Sequence, residues 1–509
     1  MKSTLRQILP VLDNPILPKQ DRLLKPHLDR PLSALRYDSR LATDDTVFFC
    51  LVGKISDGHG YADSAYRNGC RIFIAERPLE LPEDALCLVV PDTRTALADA
   101  SAEFYGHPER SMRLIGLTGT KGKTTTSLLI RSLLEDAGIP TGYIGTNGVD
   151  YRNTHHQTVN STPESAEIYR YLRYMLDEGI QTCVMEISSQ ALWMGRTRGL
   201  LFDTVLFTNL SRDHIGGVEH PDFEHYRDSK RCLFTDYPTK AVVACADDPH
   251  TPYMTQGVAA PLYLYSADNT PAQWRAAAKE IAVKDGRMGM SFTVLRQGDP
   301  AKHACFLPLP GVYNIQNALA ALTVVCEQFG VSPESAIASL ARAVVSGRFE
   351  TITHTALPGV SFVIDYAHNG VSLASVLDAV ADYRPRRIIC LFGSVGGRSK
   401  ERRQQLAEAA ANRCDLCIIT SDNPGCEPPM DVIDEIDAAF PEGSCPRVKI
   451  SDRAEAIRYA VEIAAEGDVI LLAGKGHENY QLVGVKRIPF SEAEILLKAI
   501  EERAGMPVS

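Results

Sequence analysis

A turn rich in glycine and threonine carries the residues best suited to chemistry. Residues 118–126 read Thr-Gly-Thr-Lys-Gly-Lys-Thr-Thr-Thr and lie between an apolar run ending at Leu117 and an amphipathic helical pattern. Backbone N–H groups in such a turn can wrap a phosphate chain, and the N-terminus of the following helix adds positive potential. Lys123 can reach the outer phosphates, and the Thr124 hydroxyl can bind Mg²⁺. Because Leu117 stands where the standard spacing has its first glycine, the sequence predicts a variant phosphate-binding loop.

Two candidate metal ligands follow later apolar runs. Glu186 comes directly after Val184 and Met185, and His214 follows the run that ends at Phe207. A carboxylate at the carboxyl end of a parallel strand faces the ligand crevice and can hold a metal. Position alone leaves an alternative open for each residue. Glu186 would then be a capping or surface residue, and His214 an ordinary loop histidine.

Short apolar runs and helical patterns alternate along the whole chain and must position these residues. The strand-like runs are 47–52, 72–75, 87–90, 112–117, 183–185, 205–207, 241–244, 362–364, 388–392, 417–419 and 469–472. Strands separated by helices are typical of parallel sheets with helices on both faces. The sequence therefore predicts an α/β fold of three domains, at 1–110, 111–345 and 346–509. The central domain would hold the P-loop sheet, and the C-terminal domain would be Rossmann-like.

The composition limits the classes of function. The chain has 509 residues, with 53 Lys and Arg against 63 Asp and Glu, which gives a net charge of −10. Apolar residues make up 45% and charged residues 23%, which are globular values and argue against a disordered or fibrous protein. The acidic balance argues against binding nucleic acid through bulk charge. Local cations can still bind a small anionic ligand.

The compartment is predicted from apolar patterning and cysteine usage. The N-terminus has no long apolar core of a secretory signal, and no run of about 18 uncharged apolar residues suggests a membrane helix. The 13 cysteines are odd in number and scattered, which suits reduced thiols better than a disulfide framework. We therefore expect a cytoplasmic protein without a membrane or nucleic-acid partner. No feature requires more than a monomer.

Several segments, taken together and in order, resemble the Mur ligase family, the ATP-dependent amino-acid ligases of bacterial cell-wall synthesis. Besides the phosphate-binding loop, Glu186 and His214, they are residues 226–234, 314–321, 347–350, 365–370 and 473–481. Within the family, the chain looks most like members that add the third residue to UDP-N-acetylmuramoyl-L-alanyl-D-glutamate. The resemblance implies that ATP phosphorylates a carboxylate, with Mg²⁺ as cofactor. The amine of the incoming amino acid would then attack the acyl phosphate.

The resemblance implies roles for residues at the ATP and metal sites. ATP would be bound by Gly119, Thr120, Lys121, Gly122, Lys123, Thr124, Thr125, Asn317, Arg348, Asp365 and His368. Magnesium would be held by Thr124, Glu186, His214 and a carbamylated Lys230, and the catalytic residues would be Lys123, Lys230 and His214. Carbamylation would turn a repelling cation into an anionic oxygen ligand. The alternative for Lys230 is a solvated helix lysine.

The resemblance also assigns the other two small-molecule substrates. The UDP-muramoyl peptide would be bound by Ser39, Ser161, Thr162, Ser188 and Arg196. The incoming amino acid would be bound by Arg398, Asp422, Asn423, Glu427, Gly474 and Glu478. Because both nucleotides are anionic, their binding must depend on local cations that the net charge of −10 conceals.

The identity of the added amino acid depends on the segment around Gly425. Members that add meso-diaminopimelate carry arginine here, which pairs with the distal carboxylate, and glycine cannot do so. A distal amine would instead need a carboxylate, which Glu427 and Glu478 can supply. We therefore expect L-lysine first and ornithine or another diamino acid second. Diaminopimelate would require another cation, such as Arg398, although the resemblance gives Arg398 the substrate's α-carboxylate.

Departures from the family pattern leave other functions open. They fall at Gln190, Gly216, Gly217, Asn369, Gly370 and Ser399. They suggest an unusual clade or a paralogue acting on a different acceptor. A P-loop switch or binding protein that has lost ligation is one alternative, but it would not need a C-terminal set such as Asp365, His368 and Glu478. A folylpolyglutamate-type ligase is another, but that relative lacks an N-terminal nucleotide-sugar domain.

Overall fold

The computed structural model describes residues 3–16, 21–54, 56–213, 215–217, 219–268, 270–397 and 400–505. Three residues singled out above, His214, Arg398 and Ser399, lie outside these ranges. The described residues form two compact units. The first lies within Met1–Ser266, Thr270–Gln273 and Ala320–Val331, and the second within Ala267–Asn269, Trp274–Leu319 and Ser332–Ser509.

The first unit opens with a small parallel sheet. Its elements are β1 (Ser3–Thr4), α1 (Leu5–Ile8), α2 (Asp21–Leu28), β2 (Pro31–Leu32), β3 (Ala34–Arg36), β4 (Thr46–Phe49), α3 (Ala62–Arg67), β5 (Ile72–Ala75), β6 (Leu86–Val89) and α4 (Thr93–Phe104). The strands β3-β4-β5-β6 lie in this order and are all parallel. Every residue of β4 and β5 is buried, as is typical of parallel strands covered on both faces.

A larger sheet follows in the same unit. Its elements are β7 (Arg113–Thr118), α5 (Lys123–Asp136), β8 (Thr141–Gly145), β9 (Gly148–Tyr151), β10 (Thr154–His156), α6 (Ser165–Asp177), β11 (Thr182–Glu186), α7 (Ser189–Trp193), β12 (Phe202–Phe207), α8 (Phe223–Thr235), β13 (Thr239–Cys245), α9 (Thr251–Thr255) and β14 (Leu262–Ser266). The strand order is β10-β9-β8-β11-β7-β12-β13-β14. The six strands from β8 to β14 in this order are parallel, and β9 and β10 extend the sheet as antiparallel strands.

The order of these strands determines where a site can form. Strand β7 lies between β11 and β12, so the carboxyl ends of all three are neighbours. The chain passes from β7 outward to β8, returns through β11 and then crosses to β12. Ligands bind at such a reversal of strand order in open α/β sheets. The turn after β7, Glu186 at the end of β11 and the residues after β12 meet at this point.

The second unit has its own parallel sheet. Its elements are β15 (Trp274–Lys284), β16 (Arg287–Arg296), β17 (His303–Leu307), α10 (Val312–Phe329, shared with the first unit), α11 (Pro333–Leu340), β18 (Glu350–Ile352), β19 (Ser361–Asp365), α12 (Gly370–Ala381), β20 (Arg387–Phe392), α13 (Lys400–Ala411), β21 (Leu416–Ile419), α14 (Pro429–Ala438), β22 (Arg447–Lys449), α15 (Arg453–Ile463), β23 (Asp468–Ala473), β24 (Tyr480–Val483), β25 (Lys486–Pro489) and α16 (Glu492–Arg503). Six of these strands form the parallel sheet, in the order β18-β19-β23-β20-β21-β22. All of them are parallel except β18, which pairs with β19 in the antiparallel direction.

The α/β prediction is confirmed. All eleven predicted apolar runs overlap a strand. The antiparallel strands β15, β16 and β17 were not predicted; most residues of β15 are exposed, unlike those of the buried parallel strands. The three domain ranges stay a prediction. Among the described residues, no helix combines the length and hydropathy needed to cross a membrane.

Candidate active site

The turn between β7 and α5 depends on two glycines. Gly119 has φ +152° and Gly122 has φ +84°, a region of backbone conformation that residues with a Cβ rarely adopt. A Cβ on Gly119 would also overlap with Thr208 Oγ1 at the end of β12. Helix α5 then begins at Lys123, so its first N–H groups face the turn and can bind an anion.

Contacts with the segment after β12 hold this turn in place. Asn209 accepts hydrogen bonds from Thr120 N through its carbonyl at 2.8 Å and from Lys121 N through its side-chain oxygen at 3.0 Å. Thr120 Oγ1 lies 3.0 Å from the Tyr226 hydroxyl. Lys123 Nζ donates to the carbonyl of Gly119 at 2.8 Å. The backbone of the predicted phosphate-binding loop is therefore ordered by side chains from other elements, a form of preorganisation.

The structure brings Lys230 from α8 to the same loop. The side chain is fully buried, and its Nζ donates to the carbonyl of Gly119 at 2.8 Å, the oxygen that Lys123 also contacts. The Nζ also lies 4.7 Å from the centre of the Tyr226 ring. Burial lowers the pKa of the Lys230 amine well below its usual value, and the charge of Lys123 acts in the same direction. The alternative of a solvated lysine is therefore wrong.

Glu186 is buried at the end of β11 and accepts four hydrogen bonds. They come from the Tyr143 hydroxyl at 2.5 Å and from Thr124 Oγ1, Thr146 N and Thr146 Oγ1 at 3.0 Å each. Burial and the neighbouring Glu186 charge raise the pKa of Tyr143 well above its usual value, so the phenol stays a donor. The alternative of a surface glutamate is wrong. Sequence reasoning missed Tyr143 on β8 and Thr146 directly after it, because β8 becomes a neighbour of β11 only through the strand order.

The Thr124 and Glu186 oxygens suit a magnesium ion. Mg²⁺ prefers oxygen ligands and is usually held by one or two carboxylates together with substrate phosphates. A hydroxyl and a carboxylate 3.0 Å apart beside a phosphate-binding loop match that preference. Among the described residues, no three or more His, Cys, Asp or Glu side chains are arranged to hold a metal without a substrate. His214, the other predicted ligand, lies outside the described residues.

Three of the five residues predicted to bind the UDP-muramoyl peptide are joined by hydrogen bonds. Thr162 Oγ1 accepts from Ser188 N at 3.0 Å, and the Thr162 carbonyl accepts from Arg196 Nη1 at 3.2 Å. Thr162 Oγ1 also donates to the carbonyl of Glu186 at 2.9 Å, which ties this group to the metal-site strand. Ser161 precedes Thr162 in the chain. Ser39 lies beside the N-terminal sheet, where its carbonyl accepts from Asn68.

In the second unit, Asp365 organises the residues predicted to contact the nucleotide. Its carboxylate accepts from Phe349 N at 2.7 Å and Ala367 N at 2.8 Å, and burial raises its pKa. Phe349 has φ +46°, a strained value for a non-glycine residue that this bond supports. The Arg348 guanidinium lies 4.8 Å from the Tyr366 ring centre. The predicted Asn317 lies on α10, where its amide donates to Asn314 at 3.0 Å.

His368 is held as a neutral acceptor. Its Nδ1 lies 2.8 Å from the carbonyl of Tyr366. Because a carbonyl only accepts, Nδ1 carries the proton and Nε2 is left as an acceptor. Burial lowers the pKa of His368 to about 4, and the charge of Arg402 adds to this effect. The residue therefore keeps this tautomer at neutral pH.

Acid should destabilise the protein through His368. The unfolded imidazole takes up its proton near pH 6.5 and the folded one only near pH 4, so stability is lost as the pH falls through this window. We expect the wild type to lose about 2–3 kcal/mol more than His368→Gln between pH 7 and pH 4. Thermal melts across this range measure the difference. The control is His354→Gln, which removes a half-buried histidine outside the Asp365–His368 segment and should follow the wild type. Parallel curves for wild type and His368→Gln would contradict the prediction.

The predicted amino-acid segment surrounds a fully buried lysine. Lys475 Nζ lies 3.1 Å from Asn423 Oδ1, 3.1 Å from Glu478 Oε2 and 3.7 Å from Asp422 Oδ1. The Asn423 amide in turn donates to Glu478 at 2.8 Å. Gly474, with φ +117°, lies against Asp422. Sequence reasoning did not single out Lys475, although a lysine between two glycines after a buried strand was a signal.

Glu427, a predicted partner for a distal amine, is already paired. Its carboxylate contacts the buried guanidinium of Arg403 and accepts from Gly397 N at 2.8 Å. That backbone bond and the Arg403 charge lower the pKa of Glu427. Gly425 has φ +59° and exchanges backbone hydrogen bonds with Leu482 and Gly484. Its left-handed backbone strains any residue with a side chain.

Comparison with known proteins decides the family. Residues 117–325 match the Mur ligase middle domain and residues 347–476 match the Mur ligase glutamate ligase domain. A UDP-N-acetylmuramoyl-L-alanyl-D-glutamate–2,6-diaminopimelate ligase from Geobacillus thermodenitrificans is 37% identical over 480 residues, covering 92% of this chain and 95% of its own. The chain belongs to the Mur ligase family. It is thus an ATP-dependent acid–amino-acid ligase, as the resemblance implied.

Other relatives agree with this assignment. A protein of the same name from Clostridium perfringens is 33% identical over 479 residues, covering 94% of this Mur ligase and 97% of its own chain. A solved structure of that name is 27% identical, with a TM-score of 0.66 and 99% of each chain covered. A MurF ligase from Thermotoga maritima in complex with ADP shows the same fold at 18% identity and a TM-score of 0.59, covering 93% and 98%.

Four of the six departures from the family pattern have local structural roles. Asn369 caps α12 by accepting from Ser372 N at 2.9 Å. A Cβ on Gly370 would lie 2.6 Å from the carbonyl of Gln405, so close packing requires glycine. Gly216 and Gly217 have positive φ angles of 98° and 59°. Gln190 lies on α7. Nothing in the structure explains Gln190, and Ser399 lies outside the described residues.

Proposed function

We propose that this Mur ligase joins a diamino acid to UDP-N-acetylmuramoyl-L-alanyl-D-glutamate with ATP and Mg²⁺, and that the diamino acid is meso-diaminopimelate. The observation that supports ligation most directly is the convergence of two lysines on the carbonyl of Gly119, next to the Thr124–Glu186 pair. A switch protein needs the loop and a metal ligand, but not a second buried lysine there. The assembly suits a site that neutralises both a phosphate chain and a second anionic group.

The chain's own residues account for the chemistry of this proposal. Lys123 would neutralise the transferred phosphoryl group, and Mg²⁺, held by Thr124 and Glu186, would add charge stabilisation. Thr162, Ser188 and Arg196 would place the peptide carboxylate near this group, because Thr162 is bonded to the carbonyl of Glu186. Positioning would then account for most of the rate enhancement, as in other phosphoryl transfers.

The choice of diaminopimelate differs from the expectation drawn from Gly425. The relatives reported above are named for 2,6-diaminopimelate, the alternative to L-lysine in the sequence prediction. Glu427 and Glu478 are also paired with Arg403 and Lys475, so neither is an uncompensated carboxylate for a lysine side chain. Asp422 Oδ1 is buried and makes no hydrogen bond among the described residues, but it lies 3.7 Å from Lys475 Nζ, so this carboxylate is compensated as well.

Amino-acid-dependent phosphate release tests the proposal. We expect phosphate release from ATP in the presence of the UDP-muramoyl dipeptide and diaminopimelate. The kcat/KM with L-lysine or ornithine should be at least about tenfold lower, because these amino acids lack the distal carboxylate and leave its contacts with the protein unmade. Mass spectrometry of the product confirms the new amide bond. A preference for L-lysine would refute the choice of amino acid but keep the ligase. Equal hydrolysis with and without any amino acid would refute ligation.

A further inference from the structure

A carboxylate shared by two arginines lies behind the group predicted to bind the muramoyl peptide. Glu164 Oε2 accepts from Arg94 Nη1 at 2.9 Å, and Glu164 Oε1 lies 3.0 Å from Arg196 Nε. The side chains of Arg94, Glu164 and Arg196 are only 18%, 10% and 9% exposed. Ion pairs this well shielded are screened less by salt than surface pairs and depend strongly on geometry.

The three residues come from different elements. Arg94 lies in the first turn of α4, and its Nε also donates to the carbonyl of Val52 at 3.2 Å. Glu164 is the residue before α6, and Arg196 follows α7. Arg196 also donates to the carbonyl of Thr162. The guanidinium of Arg196 thus makes an ion pair with one carboxylate, with its buried Nε left without a hydrogen bond within the described part of the chain, and donates through Nη1 to one carbonyl.

The charge of the cluster is unbalanced. Two guanidiniums face one carboxylate, so the cluster carries one excess positive charge. Without Arg94, Glu164 would be free to form a bidentate pair with Arg196, because a fork-to-fork geometry is the most favourable one for these groups. Arg196 would then move from the Thr162 carbonyl, and the excess charge that attracts an anion would disappear.

We propose that Arg94 is a positioning residue for the anionic UDP-muramoyl peptide, acting through Glu164 on the guanidinium of Arg196. The inference rests on the proposed function, because Arg196 must face that substrate. It adds a role for the N-terminal region, which supplies Arg94, in orienting the Arg196 guanidinium beside the metal site. A purely structural role for Arg94, as a link between α4 and the following segment, is the competing explanation.

A second ion pair provides a matched control for that explanation. Asp99 lies on the same helix α4, and its carboxylate accepts from Arg198 Nε at 3.1 Å. Arg198 follows Arg196 by two residues, so both pairs connect α4 to the 161–200 segment. Arg198 is 52% exposed and contacts neither Glu164 nor Thr162 among the described residues. Arg198→Met therefore removes a second, more exposed link between α4 and the same segment without affecting the charge at Arg196.

Calorimetry without ATP tests the proposal on the full chain. We expect Arg94→Met to raise the Kd of the UDP-muramoyl dipeptide roughly tenfold or more, the order expected for a hydrogen bond to a charged group. Arg94→Lys should recover part of this, and Arg198→Met should match the wild type. In steady-state assays Arg94→Met should raise KM for the dipeptide nucleotide and leave KM for ATP near the wild-type value.

A double-mutant cycle separates action through Glu164 from a general loss of stability. In a Glu164→Gln background, Arg94→Met should change the Kd little, since its partner is already lost. Equal effects of Arg94→Met and Arg198→Met, or full additivity in the cycle, would overturn the inference. If Arg94→Met does not fold, the same cycle with Arg94→Lys decides between the two outcomes. A wild type that does not bind the dipeptide nucleotide would instead refute the proposed function.

Discussion

Lys230→Ala should lose ligation by on the order of 10³-fold, the range found when a preorganised charged group is removed from an active site. The buried amine contacts the Gly119 carbonyl and the Tyr226 ring, and no carboxylate among the described residues lies within ion-pair distance, although the Asp213 charge partly opposes the effect of burial on its pKa. An unpaired ammonium is costly at such a position. A neutral amine can add to CO₂, releasing a proton and leaving a carbamate whose oxygens can bind a metal. Steady-state phosphate release and ¹³C NMR in labelled bicarbonate measure the two effects.

Partial rescue distinguishes the carbamate from a structural lysine. A short carboxylic acid fits the space that Lys230→Ala leaves and supplies the missing oxygens, so formate or acetate should restore part of the activity. Lys230→Met fills that space and should not be rescued. The control is Lys240→Ala, because the Lys240 side chain is 80% exposed and should be dispensable. Full activity of Lys230→Ala without additive, or no carbamate signal in an active wild type, would refute this role.

The fold was predictable because the apolar runs are short, buried and regularly spaced. Runs such as 205–207 and 388–392 lie wholly within strands, since parallel strands covered on both faces require continuous apolar residues. The meander of β15, β16 and β17 was not predictable in this way. Many residues of β15 are exposed, so β15 is recognised as a strand by its hydrogen bonds to β16 and not by a buried apolar run.

The candidate site was predictable only where a functional residue directly follows an apolar strand in the sequence. The phosphate-binding loop and Glu186 follow strands directly, and the structure places them side by side. The hydrogen-bond partners of Glu186 could not be predicted, because Tyr143 lies 43 residues away and meets it only through the pairing of β8 and β11. The same limit explains Glu427, whose partner Arg403 lies on another element, so the sequence suggested an available carboxylate where the structure has an ion pair.

Glu186→Gln should reduce ligation to a similar extent, on the order of 10³-fold, because it removes charge from the predicted metal site. Its amide also replaces one accepting oxygen with an NH₂ donor, which would face either the Tyr143 hydroxyl and Thr146 N or the Thr124 and Thr146 hydroxyls, groups that now donate to Glu186. Donors would then face donors in a buried site, at a cost of about 1–3 kcal/mol in stability. Thermal melts measure that cost.

Nucleotide binding in the presence and absence of Mg²⁺ separates the metal role of Glu186 from its role in stability. The wild type should bind ATP more tightly with Mg²⁺, and Glu186→Gln should lose most of this gain while retaining the metal-independent part, which Lys123 and the loop backbone supply. Tyr143→Phe is the matched variant, because it removes one donor and keeps the carboxylate. It should reduce activity by about 10- to 100-fold, as loss of a metal ligand's hydrogen-bond partner commonly does. An unchanged Mg²⁺ effect in Glu186→Gln would place the metal elsewhere and make Glu186 a purely structural acceptor for Tyr143 and Thr146.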